Sequence, residues 1–291
     1  MFRPFLELIR FSHTLFALPF ALLSAAMALR LDGSVFRWTD GAGILLCMVF
    51  ARSAAMAFNR WADRWIDAEN PRTAERHLPS GRLSAKSVIL FTVCCSAGFI
   101  GSTLIFLPNV VPLAASIPVL LFLFGYSYAK RFTCFAHVWL GAALMLAPQA
   151  TWIVIRPEIA WPPIFLGLAI LFWTVGFDLI YACQDADFDA AADLHSVPGR
   201  YGVRTAFRLS AAAHAVTVLL LAALPSVYAP FGPIFYVGVG GVTLILLTEH
   251  FLARPKHDTP LDLVKVNVAF FQMNVLVSIG LLVIGVIDLV W

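Results

Sequence analysis

Residues 87–129 read SVILFTVCCSAGFIGSTLIFLPNVVPLAASIPVLLFLFGYSYA, forty-three positions without a formal charge. A helix crosses the hydrocarbon core of a bilayer in about 20 mostly apolar residues. The run is therefore two crossings, and Leu107-Pro108-Asn109 near its middle is the turn between them. Working outward, similar runs occupy Phe11–Leu29, Gly41–Asn59 (interrupted only by Arg52), Phe132–Ile155, Ile159–Tyr181 and Val266–Ile287. Leu209–Thr248 is again double length and breaks near Tyr228-Ala-Pro-Phe-Gly-Pro233, which brings the expected count to nine. Backbone polar groups in lipid must pair internally, and the ten-residue alternation of a barrel is missing. The expected fold is all-α.

The composition agrees. Of 291 residues, 60% are apolar and 13% charged, and the mean hydropathy is +0.85. A water-soluble domain carries roughly 25% charged residues, so a soluble enzyme, a disordered chain and a secreted disulfide scaffold are all excluded. Every polar loop is under about 30 residues and no repeat is evident, so residues 1–291 are expected to form one polytopic domain. The five cysteines lie in or beside apolar runs with no C-x-x-C pair, and read as small apolar residues. The first run ends Ser-Ala-Ala-Met-Ala like a signal peptide, but is long enough to span.

Net charge is only +3; its distribution says more. With the N-terminus inside, sixteen Lys and Arg residues fall on the cytoplasmic side. Three, Arg30, Arg37 and Arg156, fall on the other. The positive-inside rule then gives N-in, C-out.

Two rows of acids end two spans on that cytoplasmic side. The first is Asn59-Arg-Trp-Ala-Asp63-Arg-Trp-Ile-Asp67, and the second Asp185-Ala-Asp187-Phe-Asp189-Ala-Ala-Ala-Asp193. Four-residue steps keep each row on one helix face, with Asp178 and Tyr181 one to two turns above the second. Carboxylates so placed repel unless a cation sits among them. Hard oxygen donors suit Mg²⁺, which is usually bound by a few carboxylates together with substrate phosphates. Arg72, Arg76 and Arg82 follow the first row directly, and Lys130 and Arg131 follow the fourth span. Arginine pairs bidentately with phosphate and lysine supplies a point charge. Acids for Mg²⁺ beside bases for oxyanions describe a metal–diphosphate site; a solvated acidic helix end balanced by local arginines is the blander account. Arg52 needs a separate explanation. An arginine inside a span requires a partner, and this one lies on the face of Asn59 about 10 Å deeper. It is either a structural contact or an anchor for an anionic second substrate. A secondary transporter would also carry intramembrane acids, but near the midplane and commonly in inverted repeats.

NRWADRWIDAENPRTAERHLPSG, 59–81, resembles the first signature of the UbiA-type intramembrane prenyltransferases, and DLIYACQDADFD, 178–189, resembles their second. YSYAKRFT, 126–133, is similar to the K-R loop between them. The likeness runs along essentially the whole chain and looks strongest to the 4-hydroxybenzoate polyprenyltransferases. It implies nine helices around a central cavity, with both signatures at its cytoplasmic mouth in a bacterial-type inner membrane. Asn59, Asp63 and Asp67 would bind one Mg²⁺–diphosphate contact, and Asp185 and Asp189 the other. Arg72, Arg76, Lys130 and Arg131 would hold the diphosphate. The implied partners are a polyprenyl diphosphate, a small aromatic acid and the bilayer, with no nucleic acid. Asp178 would steer the phenol or accept its proton, Tyr181 would face the cation or bind phosphate, and Arg52 would hold the acceptor carboxylate. His13 and His77 near the mouth read as structural or solvated. One departure stands out: Asp193-Leu-His-Ser-Val-Pro198 has Asp193 where many bacterial relatives have glycine, so Asp193 receives no metal role. The same H-S-x-P segment resembles relatives that prenylate a dihydroxynaphthoate in the futalosine route to menaquinone, and the acceptor stays open between the two.

Overall fold

A computed structural model of the chain describes residues 3–9, 16–35, 37–254 and 262–291. Among the described residues all regular structure is helical. The helices are α1 (Arg3–Leu8), α2 (Leu18–Arg30), α3 (Trp38–Ala62), α4 (Arg64–Glu69), α5 (Ala85–Thr103), α6 (Val111–Ala129) and α7 (Ala136–Ile155). They continue with α8 (Trp161–Ala182), α9 (Ala186–Ala191), α10 (Val197–Tyr201), α11 (Val203–Val227), α12 (Pro233–Ala253), α13 (Leu263–Val268) and α14 (Asn274–Val290). A 3₁₀ turn, Cys183–Asp185, joins α8 to α9, and a π turn, Ala269–Met273, joins α13 to α14.

Eight helical segments are long and apolar enough to cross a bilayer, and they match eight of the nine expected spans. Both double-length runs divide at their turn residues, 107–110 and 228–232. For the ninth, Phe11–Leu29, the structure shows the thirteen-residue α2, while residues 10–15, Arg10 and His13 among them, lie outside the described residues, as does Lys256. The chain is an all-α membrane protein.

The helices form two compact units, one from Met1–Thr14 and Phe36–Ala129, the other from Leu15–Val35 and Lys130–Trp291. In the first, α3 packs against α5 and α6, with Ala54, Cys95, Phe99 and Leu120 buried between them. Phe58 stacks on Phe124 at 4.4 Å. Leu90 and Leu121 point outward, 64% and 66% exposed. That is tolerable only against hydrocarbon, where helices gain association energy from packing rather than from hiding apolar surface.

In the second unit α8, without a charged side chain before Asp178, is the most enclosed span, flanked by α7 and α11. Gly141 of α7 lies against Leu171 of α8, where a Cβ would stand 2.5 Å from the Leu171 carbonyl oxygen. A small residue there lets the two backbones nearly touch. Several interior polar groups tie helices together. Ser24 donates to the Pro148 carbonyl at 2.7 Å and Tyr228 to that of Met27 at 2.7 Å. The Asp288 carboxylate accepts from the amides of Gly232 and Ile234, at 2.6 and 3.1 Å, and so caps the start of α12.

Candidate active site

The first acidic row is not one unbroken helix. α3 ends at Ala62, Asp63 is its cap, and α4 restarts at Arg64. The four-residue register survives the joint, because the Asp63 amide donates to Asn59 O at 2.9 Å and the Asp67 amide to Asp63 O at 2.8 Å. Asp63 and Asp67 are both buried, 4% exposed, and the Asn59 side-chain amide donates to Asp63 Oδ2 at 3.2 Å.

The loop that follows is folded around this row. Asn70 Oδ1 accepts from the Arg72 amide at 2.9 Å, an Asx turn, and the buried Thr73 hydroxyl donates to the Asp67 carbonyl at 2.9 Å. Gly81 takes φ of 73°, a conformation that favours glycine, and the chain turns into α5. Held this way, Arg76 Nη1 donates to Asp67 Oδ1 at 2.7 Å, with Arg60 Nη1 4.0 Å from the other oxygen. Arg60, Arg72 and Arg76, with Glu7, Leu8, Glu75 and His77, line a cleft of about 300 Å³. His77 Nε2 lies 3.4 Å from Glu7 Oε2, as expected of a structural histidine. Arg60 was not singled out from sequence. Its value comes from lying seven residues before Asp67, two turns along one helix face.

The second row belongs to the other unit. Asp185 ends the 3₁₀ turn and Asp189 sits in α9, whose last residue is Ala191. Expecting Asp193 on the same face was therefore wrong. It lies past the helix end at φ of 49°, its side chain 96% exposed and 4.0 Å from Arg200. The left-handed backbone is the physical reason glycine suits this position. Asp189 faces Lys130 and the Ser196 hydroxyl, and Ser196 itself caps α10 through the Gly199 amide at 3.2 Å. The K-R loop joins the same assembly, since the His195 amide donates to the Lys130 carbonyl at 2.7 Å and Arg200 lies 2.8 Å from His195 Nε2. Arg131 is exposed. The Tyr181 ring packs on Phe270 of the π turn, centroids 4.1 Å apart.

Asp178 is already engaged. Its Oδ2 accepts from His137 Nδ1 at 2.7 Å, a pairing between α7 and α8 that the sequence did not disclose. Arg52 lies on α3, continuous with Asn59, its Nε buried without a hydrogen-bond partner.

The residues fit a hard cation. Asp67 Oδ2 is buried without a hydrogen-bond donor, and the donors of both rows are oxygens. Among the described residues no three His, Cys, Asp or Glu side chains converge to a metal-ligating group. That suits an ion held by one or two carboxylates with the rest of its shell from substrate and water, the usual habit of Mg²⁺.

Comparison with known proteins agrees with the signatures. The UbiA prenyltransferase family matches residues 17–275. A 4-hydroxybenzoate octaprenyltransferase of Marinobacter nauticus is 29% identical over 213 residues, 73% of this chain and 71% of that one. The chain spans about half the length of several other curated relatives of that description. An apo UbiA homolog from Aeropyrum pernix K1 superimposes with a TM-score of 0.82 at 29% identity, covering 94% of this chain and 97% of that one. A UbiA homolog from Archaeoglobus fulgidus, bound to GPP and Mg²⁺, has the same fold at TM-score 0.71 and 18% identity, over 99% of this chain and 100% of that one.

Proposed function

The chain belongs to the UbiA prenyltransferase family, and on that premise we propose that it transfers a polyprenyl group from a polyprenyl diphosphate to a ring carbon of 4-hydroxybenzoate. The observation that carries the reading is the arginine-lined cleft beside buried Asp67, a place built for an oxyanion and its counter-ion. The acceptor is suggested by the Marinobacter relative, and a prenyl diphosphate by the ligand of the Archaeoglobus homolog.

In this reading Arg60, Arg72 and Arg76 bind diphosphate oxygens, with Lys130 and Arg131 adding charge. Asn59, Asp63 and Asp67 would hold one Mg²⁺, and Asp185 and Asp189 the other. When bound, Mg²⁺ supplies positive charge to the leaving diphosphate. The arginines share that task, because fixed donors aimed at developing charge lower the barrier without reorganising. The allylic C–O bond breaks with its electron pair on the diphosphate, and the ring carbon ortho to the acceptor hydroxyl forms the new C–C bond. Exclusion of water protects the cation. Arg52, half-buried and with its Nε enclosed and unpaired, answers the acceptor carboxylate. Tyr181 and Phe270 offer an aromatic wall to the prenyl cation.

A second acceptor, a dihydroxynaphthoate of the futalosine route to menaquinone, is favoured by one feature. The Leu194–Pro198 segment that resembles that group is wired through His195 to the K-R loop. Mass spectrometry of membranes offered both acceptors with one polyprenyl diphosphate decides between them. A prenylated hydroxybenzoate is the expected product, and prenylation of the naphthoate alone would replace it.

The charge bias supports an active site open to the cytoplasm. A cysteine introduced beside Arg200 should react only with reagent supplied from inside, and labelling from outside would reverse the topology.

A further inference from the structure

We propose that His137, held by Asp178, is the general base that takes the hydroxyl proton of the aromatic acceptor; the inference rests on the aromatic-prenylation reading above. Its basis is a contact that neither signature contains. His137 opens α7, and Asp178 lies forty-one positions later in α8. The close approach at Gly141 and Leu171 brings the two helices near enough for His137 Nδ1 to reach Asp178 Oδ2, at 2.7 Å.

A carboxylate only accepts, so Nδ1 carries a proton, and in the neutral imidazole Nε2 presents a lone pair. That Nε2 is buried and has no hydrogen-bond partner. An acceptor left unpaired inside a protein costs stability, and here the deficit lies beside the second signature. Asp178, meanwhile, has its near oxygen committed to the imidazole. The buried atom left without a partner in the pair is His137 Nε2, and we assign the base to it and a positioning role to Asp178.

The charges around the ring suit the task. From α8 the facing group is Asp178, and from α9 it is Asp189, which senses His137 without a hydrogen bond between them. Lys130 faces Asp189 in turn. α7 carries no other charged side chain, and α2, packed along α7, has only Arg30 at its far end.

The step balances. The acceptor O–H bond breaks, its proton goes to Nε2, and its electron pair forms a carbonyl while the ortho carbon bonds to the allylic carbon. The allylic C–O pair leaves on diphosphate. The dienone then loses the ring proton from the attacked carbon to the diphosphate, its oxygen recovers a proton from the imidazolium, and aromaticity returns.

The test compares purified wild type, His137→Gln and Asp178→Asn at about pH 8.5 on 4-hydroxybenzoate and on a 3-fluoro analogue, whose roughly tenfold more acidic hydroxyl is mostly ionised at that pH while that of 4-hydroxybenzoate is not. Glutamine keeps a hydrogen bond to Asp178 but cannot take a proton. Asparagine can donate to Nδ1 and so turn the imidazole to the wrong tautomer. Each variant is expected to lose about 100-fold in kcat on 4-hydroxybenzoate and much less on the fluoro acceptor. Because this is a ratio within one preparation, partial misfolding cancels. Equal losses on both acceptors, or no loss on either, would overturn the base assignment while wild-type turnover leaves the prenyltransfer reading standing. A wild type silent toward every aromatic acceptor overturns both.

Discussion

The two acidic signatures share a four-residue spacing and differ in company. Around Asp67 the partners are permanently cationic, Arg76 at 2.7 Å, Arg60 at 4.0 Å and Arg72 in the adjoining cleft, while Asp63 takes the Asn59 amide at 3.2 Å. Around Asp178 and Asp189 they are groups that exchange or share protons: His137 at 2.7 Å, the Ser196 hydroxyl and Lys130. Arginine stays charged throughout, whereas imidazole gains and loses a proton near neutrality. Identical spacing therefore does not mean identical work. The first signature is suited to neutralising an anion that must leave, and the second also to moving a proton.

The comparison breaks most visibly if either row is dispensable. Asp63→Asn and Asp185→Asn are each expected to drop prenyl transfer below about a thousandth of wild type, and EDTA should do the same to the unaltered protein. Turnover that survives either substitution, measured by product mass, would remove that row from the reaction. Next comes the arginine side. Arg76→Leu leaves buried Asp67 with only Arg60 at 4.0 Å. Besides raising KM for the polyprenyl diphosphate, it should cost about 2–3 kcal/mol in a denaturation series. That is below the roughly 3–5 of a fully dry pair, because the Arg76 side chain remains 22% exposed.

Arg52 sharpens the contrast from deeper in α3. Arg52→Leu should weaken use of carboxylated acceptors by about 2–5 kcal/mol, and Arg52→Lys should raise the acceptor KM more than that of the diphosphate. An unchanged acceptor KM in a folded Arg52→Leu protein would return the residue to a structural role. The smallest effect belongs to Asp193. Relieving its left-handed backbone with Asp193→Gly should stabilise the protein by about 0.5–1 kcal/mol and leave turnover alone. Lost activity would show that its exposed carboxylate works after all.

Much of this was legible in the chain because single-residue chemistry carried it. Apolar length marks a span whatever it packs against, and Leu107-Pro108-Asn109 breaks a helix in any setting. The register of Asp63 and Asp67 was legible too, since the backbone bonds across their joint keep the four-residue step. Three things were not. That Arg60 turns to Asp67 while Arg64, nearer in the chain, is taken up by the Trp61 carbonyl is set by the folded surroundings. α9 stops at Ala191, so counting in fours carried Asp193 one turn too far. His137 meets Asp178 only because Gly141 lets two helices close, which is a tertiary event. Sequence discloses the reactive side chains readily and their partners poorly.

The carboxylate that caps α12 has a consequence in time. Asp288 follows the Gly232 amide by fifty-six residues. At ribosomal speeds of about 5–20 residues per second, roughly 3–11 s separate the synthesis of those amides from the arrival of their acceptor. For that interval the leading turn of α12 must be satisfied by water at the membrane surface or by the insertion machinery. The last helix thus acts as a latch, closing the start of α12 only once α14 itself has been made.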